Sequence, residues 1–253
     1  MTTWVIDEMD GSKSVFVHIP RLVAKSGQKL YDELSSIPDS QWIQGKFMQH
    51  LTPRLVRWHS MTDKTYKFSG KKYESMPYTP HLERFSKSLP GKIRDALPQA
   101  SIQGVNLDFD ALNSVLVNKY RDNTDSISPH ADNEPEFGKH PTIVSVNFGI
   151  SRKFILKPMT DKQRQREWSK GDRLEFNPTP PEAKNDKIEI RLDHGDVFIM
   201  AGAAQDFWYH QVPKEEDAMT VQRLQLLPGR DRLMKVQPTS VRFNLTFRPI
   251  MKN

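Results

Sequence analysis

No cysteine occurs among the 253 residues. Disulfides, thiolate zinc sites and cysteine nucleophiles are thereby excluded, and any metal must be held by imidazole and carboxylate. The same lack makes an intracellular setting, nucleus or cytoplasm, the expectation. No run of about 20 apolar residues exists, so no membrane-spanning helix is expected. The opening stretch MTTWVIDEMDG has no basic region leading into an apolar one, and no secretory leader is expected. Acidic side chains are the minority charge: 31 Asp and Glu face 37 Lys and Arg, for a formal net charge of +6. Basic chains suit nucleic-acid partners, because neutralised phosphates release counterions. Internal repeats and low-complexity tracts are also lacking.

Apolar residues make up 36%, with 13 Phe and 5 Trp for bulk. That suffices for one packed domain, expected to be a monomer. Helical spacing appears in RLVAKSGQKLYDELSSI, at Leu22, Leu30, Leu34 and Ile37, although Gly27 weakens its start. TPHLERFSKSLPGKIRDAL carries a Thr-Pro helix entry and a break at Pro90-Gly91. From residue 112 the chain turns to short β runs: SVLVNKY, TIVSVNFG, KFILKP, KIEIRL, DVFIM, WYHQV and VRFNLTF. The spacing predicts an α+β, mainly β fold, an antiparallel sandwich or barrel with the earlier helices packed on it. Three parts are expected: an N-terminal extension and helix over 1–40, a mixed segment with a supporting helix over 41–111, and a β-rich core over 112–253. Two polar inserts, 159–186 and 214–240, read as surface excursions.

The chemistry concentrates in NKYRDNTDSISPHADNEPEFG. His130 and Asp132, two residues apart, can take adjacent corners of a metal. Alone such a pair is a weak signal. FWYHQVP supplies His210 in a β-like setting. Two histidines and one carboxylate with open positions match the donor set of a non-haem Fe(II) site, which admits a bidentate co-substrate and dioxygen. A dicarboxylate co-substrate also needs a cation for its far end, and arginine pairs with carboxylate in a bidentate way. The strand VRFNLTFRP offers Arg242, Asn244, Thr246 and Arg248 on one face. The other histidines, His194 in its turn included, read as surface or packing residues.

These residues together resemble the AlkB family of Fe(II)/2-oxoglutarate dioxygenases. The family's N-x-Y and H-x-D appear as Asn118, Tyr120, His130 and Asp132. Its distal histidine is matched by His210, and its R-x-N-x-x-x-R by Arg242, Asn244 and Arg248. The similarity runs from about residue 41 to 250 and is most like the duplex-DNA repair branch. It implies a double-stranded β-helix, or jelly roll, with a nucleotide-recognition lid. It implies that His130, Asp132 and His210 bind Fe(II). Arg242, helped by Asn118 and Tyr120, would meet the C5 carboxylate of 2-oxoglutarate, and Arg248 and Asn244 the C1 end. The implied reaction uses dioxygen to demethylate alkylated bases of the 1-methyladenine or 3-methylcytosine type in DNA or RNA. Formaldehyde, succinate and carbon dioxide are the products. Phe68 would stack on the flipped base, with Glu134 on its exocyclic group and Tyr66, Ser69 and Arg54 in the same pocket. Phe47 and Met48 would wedge the duplex. The alternative on the same scaffold is an oxygenase of a small molecule or a protein side chain.

Overall fold

The structure is a computed structural model. It describes residues 2–9, 11–47, 49–62, 66–68, 71–97, 101–102, 104–168, 187–215 and 241–251. In chain order the elements begin with β1 (Thr3–Met9), β2 (Ser12–Ile19), α1 (Gln28–Ser36), β3 (Ile43–Phe47) and β4 (His50–Ser60). Next come β5 (Tyr66–Phe68), β6 (Lys71–Tyr73), α2 (Pro80–Ala96), β7 (Ser101–Ile102) and β8 (Val105–Asn106). The second half has β9 (Leu112–Tyr120), β10 (Ile127–His130), β11 (Ile143–Gly149), β12 (Arg152–Pro158), α3 (Asp161–Trp168) and β13 (Ile188–Leu192). It closes with β14 (Val197–Gly202), α4 (Ala204–Phe207), β15 (Trp208–Val212) and β16 (Arg242–Pro249). All seven β runs expected after residue 112 are strands.

Eight strands form the larger sheet, in the order β1-β2-β14-β11-β16-β9-β4-β3, and four form the smaller one, β10-β15-β12-β13. The pairings are antiparallel. This is the mainly β jelly roll expected from the sequence. Alternation along the larger sheet sends one set of side chains, including Val115, Val117, Val144, Val146, Phe243, Leu245 and Phe247, into a core shared with α1 and α2. The opposite set faces the smaller sheet, where Phe154, Leu156, Phe198 and Trp208 pack. The polar members of that second set make the site.

Three local outcomes differ from the sequence reading. Residues 3–19 form a hairpin that adds to the larger sheet through β2 and β14, with Ile19 opposite Val197. Helix α1 starts only at Gln28. A Cβ on Gly27 would lie 2.3 Å from the Phe148 ring, so the preceding segment turns tightly over that ring instead of lengthening the helix. The break expected at Pro90-Gly91 does not occur, and α2 continues to Ala96. Thr79 caps it by accepting from the Leu82 amide. Leu82, Phe85, Leu89 and Ile93 are all buried on one stripe. Burying each stabilises by about 1.5–3 kcal/mol, which together exceeds the cost of one interior proline, about 3 kcal/mol.

Candidate metal centre

Antiparallel register brings the two histidines together. His130 on β10 stands directly opposite His210 on β15, and their ring centroids lie 4.2 Å apart. Asp132 follows in the loop after β10. Its Oδ1 lies 3.9 Å from His130 Nε2 and its Oδ2 lies 3.9 Å from His210 Nε2. One ligand atom from each residue falls within 4.8 Å of the others. Asp132 is 1% exposed and His210 7%. His130 Nδ1 lies 2.9 Å from the Ser128 carbonyl. Donation there leaves Nε2 with its lone pair turned to the cluster.

The electrostatics suit a cation. Burial pushes the His210 imidazole down to about 3, with His130 adding to the effect and Asp132 opposing it. Burial also lowers His130. Both rings are therefore neutral donors near neutral pH. For Asp132, burial works upward, but the charge and hydrogen bond of the Arg248 guanidinium lead the opposing effects and hold the carboxyl below the usual range. Asp132 Oδ2 is buried with no hydrogen-bond donor among the described residues, a costly state for a carboxylate oxygen unless a cation meets it. Two imidazoles, one carboxylate and this orphaned oxygen fit Fe(II) well.

The polar row expected on the last strand is real, and three strands share it. Arg242 lies opposite Tyr120, and Asn244 opposite both Asn118 and Asn147. Thr246 lies opposite Ser145. Asn244 donates to Ser145 Oγ at 2.6 Å and to Asn147 Oδ1 at 3.2 Å, and accepts from Thr246 at 3.0 Å. Arg242 is fully buried above the Tyr120 ring, 5.6 Å from its centroid. Its Nη2 donates to Asn147 Oδ1, while its Nε and Nη1 have no acceptor among the described residues. Burial lowers its pKa to about 10, a shift that Tyr120 opposes. Arg248 sits at the other end of the row, and its Nη2 donates to Asp132 Oδ1 at 2.7 Å. Beside Arg248 is a cavity lined by Asn118, Tyr120, His130, His210, Asn244 and Arg248, with Leu116, Ile127, Phe154 and Met200 as apolar walls.

Arg54 is brought into this row: it is 4% exposed and its Nε donates to Asn118 Oδ1 at 3.0 Å. Glu134 precedes a single 3-10 turn two residues beyond Asp132. Phe68 and Tyr66 belong to the small β5–β6 hairpin, and Phe47 ends β3 opposite His50. Ser69 and Met48 lie outside the described residues, as does most of both inserts. The other histidines behave as packing residues. His59 reaches the carbonyls of Met76 and Pro77, His18 pairs with Asp196 at 2.8 Å, and His194 accepts from the Gly149 amide. Sequence reasoning missed Ser145 and Asn147, although the alternation in SVNFG could have found them. It also missed Gln205, whose Oε1 accepts from the Asp132 amide at 2.8 Å. Nothing local in the sequence marks that contact.

Among known proteins, the profile of the 2OG-Fe(II) oxygenase superfamily matches residues 29–248. The chain belongs to that superfamily. Among its relatives, the human alpha-ketoglutarate-dependent dioxygenase alkB homolog 3 is 30% identical over 168 residues, 64% of this chain and 46% of that protein. The human DNA oxidative demethylase ALKBH2 is 28% identical over 221 residues, 81% of this chain and 66% of that one. The Arabidopsis thaliana DNA oxidative demethylase ALKBH2 is 36% identical over 110 residues, 42% of this chain and 34% of that one. The chain thus spans about half the length of the alkB homolog 3 it matches. The solved structure of OsALKBH1 superimposes with a TM-score of 0.54 at 19% identity, covering 92% of this chain and 97% of that one. This likeness supports the jelly-roll fold. No described helix is long and apolar enough to cross a membrane.

The neutral histidines have a consequence for stability. His210 is held at about 3 and His59 at about 4, both chiefly by burial, against 6.5 for an ordinary histidine. The unfolded chain therefore binds more protons than the folded chain below pH 6.5. Metal-free protein is expected to lose stability progressively as pH falls from 6.5 toward about 4. Thermal melts in chelator across that window check this, and a melting temperature that rises on acidification contradicts it.

Proposed function

We propose that the protein oxidatively N-demethylates alkylated nucleobases of the 1-methyladenine or 3-methylcytosine type in DNA or RNA, using Fe(II), 2-oxoglutarate and dioxygen. One observation carries this reading: the clustered donors His130, Asp132 and His210 adjoin a cavity that the two histidines line with Asn118 and Tyr120, and Tyr120 stands opposite a buried Arg242 whose Nε and Nη1 have no acceptor among the described residues, in a chain with a relative named a DNA oxidative demethylase. His130, Asp132 and His210 would hold the iron. When bound, the metal with its co-substrates supplies a two-electron oxidation of a C–H bond, coupled to conversion of 2-oxoglutarate to succinate and carbon dioxide.

The protein's own contribution is coordination, orientation and exclusion of water. The two neutral imidazoles and the ionised Asp132 leave one net negative charge from the ligands on the cation. Arg242 is the anchor for the far carboxylate, because its Nε and Nη1 are buried with no acceptor among the described residues and it stands opposite Tyr120. Asn118, Tyr120 and Asn244 orient the co-substrate along the row. Arg248 keeps Asp132 in place. Leu116, Ile127, Phe154 and Met200 keep the cavity dry. An N-methyl group oxidised there becomes a hemiaminal, which releases formaldehyde and the restored base. Phe68 stacks on that base, with Tyr66, Ser69 and Glu134 around it. Phe47 and Met48 fill the space it leaves in the duplex.

A panel of methylated single- and double-stranded oligonucleotides tests the proposal. Formaldehyde release that requires both Fe(II) and 2-oxoglutarate is expected. Phe68→Ala should weaken base capture while 2-oxoglutarate consumption without substrate continues. Turnover of 2-oxoglutarate with no product from any methylated oligonucleotide rejects the nucleic-acid reading.

A further inference from the structure

Helix α3 opens the first insert, and its last turn reaches the two segments that carry the metal ligands. The Glu167 carboxylate, with a side chain 10% exposed, is the meeting point. Its Oε1 accepts from the Tyr209 hydroxyl at 2.7 Å, and its Oε2 from Asn133 Nδ2 at a longer 3.4 Å. Tyr209 immediately precedes His210, and Asn133 immediately follows Asp132. Adjacent residues on a strand point to opposite faces. His210 turns inward to the cluster while Tyr209 turns outward to the helix. Arg166 completes the group, donating to the Tyr209 hydroxyl at 3.2 Å.

The Asp132 loop needs such a tie. The register between β10 and β15 is irregular between Ile127 and His130, and the pairing ends at His130. Beyond it, Asp132 is fixed by Gln205 on its amide and Arg248 on its side chain. Gln205 belongs to α4, which leads into β15, and Arg248 to β16, so neither contact is made by the strand of the distal histidine itself. Glu167 joins the loop to that strand, because one carboxylate has two oxygens at a fixed spacing and can accept from both segments. The hydroxyl-to-carboxylate bond is charge-assisted and so among the stronger contacts available at a rim.

We propose that Glu167 is a positioning residue for the metal centre, clamping the Asp132 loop to the His210 strand from outside and tying the first insert to metal affinity. The inference rests on His130, Asp132 and His210 being the metal site. Residues that hold metal ligands from behind affect affinity by about 10- to 100-fold.

The test is Mn(II) binding by calorimetry to the full chain and to Glu167→Ala, Glu167→Gln and Tyr209→Phe. Mn(II) affinity is expected to fall about 10- to 100-fold in Glu167→Ala. It should fall less in Glu167→Gln, which keeps an acceptor for Tyr209, and in the same direction in Tyr209→Phe. The KM for 2-oxoglutarate at saturating metal should be unchanged, as Arg242 is untouched. Variants that bind Mn(II) as tightly as the unaltered protein overturn the proposal. So does a loss of affinity matched by equal losses in thermal stability and in 2-oxoglutarate binding. If Glu167→Ala fails to fold, Tyr209→Phe, which removes only a hydroxyl, decides by the same criteria. No Mn(II) binding by the unaltered protein would instead overturn the metal-site reading beneath it.

Discussion

Asp132→Ala is expected to abolish turnover and metal binding and also to destabilise the metal-free protein. The two losses have different origins. The carboxylate is one of three donors, and two histidines alone hold a divalent ion poorly. The same carboxylate faces Arg248 at 2.7 Å in a site where both side chains are about fully buried. Removing one partner of a buried ion pair costs about 3–5 kcal/mol, because the other charge stays buried. For a chain of this length that is on the order of 10 °C in melting temperature. Asp132→Asn separates the two effects. It keeps an oxygen for Arg248 and a similar shape, so more of the stability returns, yet it lacks the charge that a cation needs. Metal titrations and chelator melts on both variants check this. Retention of metal by either variant contradicts the assignment of Asp132 as a ligand.

Arg242→Met is expected to do the reverse: large damage to co-substrate binding and little to the empty fold. Arg242 Nε and Nη1 lack acceptors among the described residues, and burial already depresses its pKa to about 10. Keeping a charge in that setting is unfavourable until an anion arrives. Replacing it with an unbranched apolar side chain should leave the ligand-free melting temperature unchanged or higher. With 2-oxoglutarate the balance inverts. A buried charge pair lost on one side costs about 2–5 kcal/mol, so the KM should rise by at least about 30-fold. Substrate affinity should stay as it was. Ordinary 2-oxoglutarate saturation in Arg242→Met, together with a large fall in ligand-free stability, would make the arginine structural.

Much of this site was legible because period-two alternation reports faces directly. The row Arg242, Asn244, Thr246 and Arg248 could be placed on one face from nine residues of sequence, and the pairing with Asn118 and Tyr120 followed once β9 and β16 proved adjacent. Other features needed contacts between distant segments. Arg54 reaches Asn118 across 64 positions, and no local pattern announces it. Arg248 was expected to serve the co-substrate's C1 end, and its bond to Asp132 follows from the loop after β10 folding back over β16. Gln205 and Glu167 belong to short helices whose docking depends on the whole barrel. The N-terminal hairpin is a different case. Asp10-Gly11 between apolar runs is a hairpin signal, and Gly11 adopts φ +69. Pro90 shows the opposite error, in which a local rule gave way to four buried anchors.

The most direct measurement is a crystal structure with Mn(II) and 2-oxoglutarate bound. The expected result has the metal on His130, Asp132 and His210, and the far carboxylate of the co-substrate on Arg242 beside Tyr120 and Asn118. A metal held by any other set of residues, or a far carboxylate that rests on Arg54 or Arg152 with Arg242 still lacking an anion, would contradict it.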